Sequence, residues 1–95
     1  MKEREVEQYL IRRVREAGGL RRKFVSPGHK DVTDEICGFP FGRFAFVELK
    51  ATGKKPRAGQ LREHKKWRDI GFAVFVIDTK AEVDVFIEYM TRAIS

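Results

Sequence analysis

The chain has 95 residues, 42% of them hydrophobic and 36% charged, which suits one modest core and excludes a disordered segment or two full domains. Lysine and arginine total 20 against 14 aspartate and glutamate, giving a formal charge of +6 and a pI near 9.8. That balance favours a polyanionic partner, most economically nucleic acid. No apolar run reaches membrane-spanning length, the mixed-charge start Met1–Glu7 is unlike a signal peptide, and the lone Cys37 can form neither an internal disulfide nor a zinc-type cysteine pair. The expectation is a cytoplasmic protein in a reducing setting, with no membrane partner.

In chain order, residues 3–17 read as a helix with Val6, Leu10, Val14 and Ala17 on one stripe, stopped by Gly18-Gly19. At about 100° per residue, Glu7 falls inside that stripe, about 20° round from Val14. It therefore needs a partner, and either a metal ion or a lysine at the edge of the core would serve. Residues 20–25 form a short strand, and Ser26-Pro27-Gly28-His29-Lys30 a loop. Residues 31–38 alternate as a strand, with Asp31, Thr33 and Glu35 on one face and Val32, Asp34 and Ile36 on the other. Asp34 is thus an acid on an apolar face, whereas Glu35 is expected in solvent.

Gly38-Phe39-Pro40-Phe41-Gly42 supplies a turn into Arg43–Lys50, a strand apolar on both faces until Glu48 and Lys50. A hairpin centred on Phe41 sets Asp34 opposite Glu48, with Lys50 on the same face. Residues 51–55 make a lysine-bearing loop, and Pro56 suits the first turn of a helix reaching Ile70. On that helix Leu61 and Trp67 are expected in the core, and His64 as a half-exposed residue rather than a general base. Residues 72–77 form a buried strand, and Val83, Phe86, Ile87, Met90 and Ile94 give a last helix its apolar stripe. The fold class is α/β, one domain in the order α-β-β-β-α-β-α, with a mixed central sheet flanked by helices.

Two adjacent carboxylates repel unless a cation sits between them. Hard carboxylate oxygens hold Mg2+ or Mn2+, and a lysine two residues from a ligand can orient or deprotonate a water or stabilise a pentavalent phosphorus. Asp34, Glu48 and Lys50 are therefore the residues for phosphodiester hydrolysis. The rival reading is a basic nucleic-acid-binding module without chemistry. It accounts for the clusters that include Lys23, Lys30, Lys54, Lys55 and Arg57, but not for acids on apolar faces.

Asp34 followed by Glu48-Leu49-Lys50 resembles the D…ExK signature of PD-(D/E)XK nucleases, whose core is restriction-endonuclease-like. The longer run Lys23-Phe-Val-Ser-Pro-Gly28, Asp34, Phe46-Val-Glu-Leu-Lys50 and Gln60-Leu-Arg-Glu-His64, then Gly71 before an apolar strand, resembles the VRR-NUC (virus-type replication-repair nuclease) family. Family members usually carry Pro-Asp where this chain has Thr33-Asp34. The resemblance implies that Asp34, Glu48 and the Leu49 carbonyl bind Mg2+ or Mn2+, and that Lys50 is catalytic. It further implies that Glu7 is an outer acid and that Gln60 supports the site. It also implies a phage or bacterial homodimer, similar to Holliday-junction resolvases, acting on structured DNA.

Overall fold

Helix α1 (Glu3–Glu16) opens the computed structural model, which describes residues 1–92. It forms because Val6, Leu10 and Val14 recur every four residues and are fully buried, with Glu3 and Glu5 in the first turn and Arg13 and Arg15 in the last, as the helix dipole favours. Gly18, at φ +77°, makes the left-handed turn out of the helix. A Cβ on Gly19 would stand 2.6 Å from the Gly38 carbonyl oxygen, so the chain enters the sheet where only glycine fits.

Strands β1 (Leu20–Lys23), β2 (Glu35–Phe39) and β3 (Arg43–Leu49) pair antiparallel, and β4 (Ala73–Ile77) joins β3 in parallel. The sheet order is β1-β2-β3-β4, with α2 (Ala58–Asp69) as the crossover and α3 (Lys80–Thr91) closing the chain. The mixed α/β order is the one read from the sequence. Element ends differ by a few residues, most in β2, which starts at Glu35 rather than Asp31. Residues 24–34 instead form a loop, tied down where the Phe24 N–H donates to the Asp34 carbonyl at 2.8 Å. Ile94, expected on the α3 stripe, lies outside the described residues.

The β2–β3 turn is a single 3-10 turn at Pro40–Gly42, with Phe41 at φ +68° and 90% exposed. Its register, Glu35 opposite Val47 and Ile36 opposite Phe46, is the one a turn about Phe41 sets. Alternation then sends Ala45, Val47 and Leu49 into a core built with Val6, Leu10 and Val14 of α1 and Val83, Phe86, Ile87 and Met90 of α3. Phe46 faces α2, its ring 4.5 Å from that of Trp67 in a cluster that also holds Phe24, Phe44 and Phe72.

Helices therefore cover both faces of the sheet, and this corrects three expectations. Glu35 shares its face with Cys37 and Phe39, so it is fully buried rather than solvated. The row of α2 that meets the sheet is Gln60, His64 and Trp67. Leu61, about 100° away, is 51% exposed instead of core. His64 is fully buried instead of half-exposed.

Candidate active site

Asp34 stands at the mouth of β2 and Glu48 one residue from the end of β3, so the hairpin register brings two carboxylates together at the rim of the sheet. Asp34 Oδ2 accepts the Leu49 N–H at 3.0 Å, which locks the loop end onto the next strand. Glu48 has no exposed surface. Its Oε2 accepts from Gln60 Nε2 at 3.0 Å and lies 3.4 Å from Lys50 Nζ. Gln60 is fixed in turn, because its Oε1 accepts the Arg57 N–H at 2.9 Å and closes the first turn of α2. The Lys50 N–H donates to the Ile77 carbonyl at 3.0 Å, carrying the β3–β4 pairing one residue past the strand end. Asp34, Glu48, Lys50 and Gln60 thus come together from three segments of the chain.

Burial pushes the Glu48 carboxyl up to about 7, the adjacent Asp34 pushes the same way, and Lys50 opposes them. Two carboxylates so placed either share a proton or take a cation. Glu48 Oε1 is buried with no hydrogen-bond partner. Among the described residues no three His, Cys, Asp or Glu side chains gather as a complete metal cage. Two carboxylates and a backbone carbonyl fit Mg2+ or Mn2+ instead, which fill their shells with water and phosphate oxygens. The donor set suits such an ion.

Glu7 belongs to a different group. It lies on the α1 side of the sheet, with Lys23 Nζ 3.1 Å from its Oε2. Burial first, and the neighbouring Glu7 second, raise Glu35 to about 8 against the opposing Arg21, while the same interaction with Glu35 holds Glu7 below the usual carboxylate range. Arg21 Nη1 donates to Glu35 Oε2 at 3.0 Å. Of the two partners that the stripe position of Glu7 called for, the structure supplies the lysine. Lys23 is paired with Glu7 while most of its side chain remains in solvent.

The remaining basic candidates lie on the surface. Lys30, Lys54 and Lys55 are exposed, and Arg57 Nη2 is 3.4 Å from Asp31 Oδ1 with most of its side chain in solvent. The lysine loop is held by Asp78, whose Oδ2 accepts the Gly53 N–H at 2.8 Å and whose carbonyl accepts the Thr52 hydroxyl at 2.7 Å. Beside these, His64 was not anticipated: its Nε2 is 3.5 Å from Glu48 Oε1. The spacing of Gln60 and His64 carries the signal, since residues four apart share a helix face.

Comparisons with known proteins agree with this arrangement. The chain is 42% identical over 80 residues to "Putative nuclease p44" of Acyrthosiphon pisum secondary endosymbiont phage 1, spanning 84% of this chain and 86% of that protein. A solved structure described as "VRR_NUC domain" superposes with a TM-score of 0.87 at 38% identity, over 94% of this chain and 97% of that one. No family model matches the chain.

Proposed function

This chain belongs to the VRR-NUC family of nucleases, and from that premise we propose that it is a Mg2+- or Mn2+-dependent endonuclease hydrolysing phosphodiester bonds in branched DNA, of Holliday-junction or flap type, during replication, recombination or repair. One observation carries this reading. Glu48 is completely buried beside Asp34, and its Oε1 accepts no hydrogen bond. A stability-driven sequence would place a hydrophobe there.

Asp34, Glu48 and the Leu49 carbonyl would hold the ion, which when bound supplies Lewis-acid stabilisation of phosphate charge and a more acidic water. Asp34 is aimed by the Leu49 N–H and Glu48 by Gln60, so both carboxylates are set before substrate arrives. Lys50, 3.4 Å from Glu48, adds a positive charge able to orient water or offset charge on the phosphorus oxygens. Lys30, Lys54, Lys55 and Arg57 are assigned to the phosphate backbone, which positions DNA without reading its sequence.

We also propose a homodimer, because paired incision of a junction needs two sites related by a two-fold axis. Phe41, Phe72 and Tyr89 are 90%, 42% and 54% exposed and are the side chains assigned to the contact. The test is cleavage of four-way junction, flap, duplex and single-stranded DNA with Mg2+ or with chelator. Metal-dependent cutting of branched DNA is expected, abolished by Asp34→Asn and Glu48→Gln. Near-normal cutting by either variant, or binding without cutting by the unaltered protein, would overturn it.

A further inference from the structure

We infer that His64 is a positioning residue for Glu48: its Nε2–H donates to Glu48 Oε1, so that helix α2 grips both oxygens of the carboxylate. This rests on the metal-dependent reading above and deepens it. Three buried polar atoms at this spot lack a partner, namely Glu48 Oε1 and both ring nitrogens of His64. Nε2 and Oε1 are 3.5 Å apart. Buried polar groups are seldom left unsatisfied, and a proton on Nε2 would meet the need of both. A shift of a few tenths of an ångström completes the bond.

The rest of α2 is built for this grip. Gln60 and His64, one turn apart on the same face, address Oε2 and Oε1 respectively. Gln60 cannot flip, because its own Oε1 is committed to the Arg57 N–H. Trp67, three residues past His64, stacks on Phe46, the neighbour of Glu48 on the same face of β3. The helix is thereby anchored at the distance the bond requires. The ring is fully buried, and an imidazole in its neutral form carries its proton on one nitrogen only. A bare Nε2 would set its lone pair against those of Oε1. The Nε2–H tautomer turns that repulsion into a hydrogen bond and leaves the second lone pair of Oε1 for a cation.

The test measures metal binding rather than cleavage. Mn2+ is titrated into the metal-free protein, free Mn2+ being followed by its EPR signal, for the unaltered chain, His64→Leu, His64→Gln and Asp34→Asn. Donors that orient a ligating carboxylate are typically worth 10- to 100-fold in metal affinity. His64→Leu, which fills the space without a donor, should bind Mn2+ at least tenfold more weakly, and His64→Gln should recover most of the loss. Long-range 15N–1H NMR on the unaltered protein should find His64 as the Nε2–H tautomer. An Nδ1–H tautomer overturns the inference. So does a His64→Leu protein that melts lower yet binds Mn2+ as before, which is what a purely structural histidine gives. If His64→Leu does not fold, the tautomer and the glutamine variant decide. Loss of Mn2+ binding in Asp34→Asn tests the metal site independently of His64. Failure of the unaltered protein to bind Mn2+ removes the site and this inference together.

Discussion

Glu48→Gln isolates the electrostatic cost built into the site. In the unfolded chain this carboxyl titrates near 4.5, and in the folded protein at about 7. Between those values the folded state keeps a proton that the unfolded state has released. Stability contributed by this group therefore falls as pH rises from about 4.5 to about 7, and stays low above. The full penalty is on the order of 3 kcal/mol. Glutamine is isosteric and never ionises; its carbonyl still accepts from Gln60, and its NH2 faces His64, which accepts it by moving its proton to Nδ1. Lys50 loses its carboxylate, so about 1–2 kcal/mol of the gain should survive, or ~5–10 °C in melting temperature for a domain of this size. Thermal unfolding in chelator, followed by circular dichroism, should show Glu48→Gln melting above the unaltered protein at pH 8. The difference should close near pH 4.5. Mg2+ should raise the melting temperature of the unaltered protein at pH 8 and leave the variant unmoved, while the variant cuts no DNA. A variant that melts lower at pH 8, a difference independent of pH, or surviving cleavage would refute the reasoning.

Arg21→Ala removes the guanidinium beside buried Glu35, and should cost about 2 kcal/mol at pH 9 but less at pH 6, where Glu35 keeps its proton. Since this pair faces α1 and not α2, urea unfolding should change while cleavage under stable conditions does not. Neutralising Lys54, Lys55 and Arg57 together should lower the slope of log affinity against log salt by about 3, equally for all DNA sequences. An unchanged slope in a filter-binding assay would make these residues a merely solvated surface. Light scattering should give a mass twice the 11.1 kDa chain, and Phe41→Ser should shift it toward the monomer. A monomer in both cases would leave single-strand nicking as the reading of the site.

Much of this protein is determined by local sequence, because local rules act on short range. Four-residue spacing produced α1, Gly18-Gly19 ended it, and the Pro40–Gly42 turn fixed the register that sets Asp34 opposite Glu48. Period-two alternation also separated Asp34 from Glu35 correctly, onto opposite faces of the sheet. What alternation cannot supply is the covering of each face. Glu35 was expected in water because its neighbours Asp31 and Thr33 are polar, yet α1 lies over that face and buries it against Arg21 and Glu7. The same face also brings Lys23 to Glu7, a pairing that alternation alone does not show. On the other face, the roll of α2 about its axis decided that Gln60 and His64, not Leu61, meet the sheet. That roll is set by Trp67 packing on Phe46, a contact between residues 21 positions apart that no window of sequence contains. Alternation and turn register along the chain therefore located the carboxylates, and only the packing of helix on sheet decided which side chains hold them.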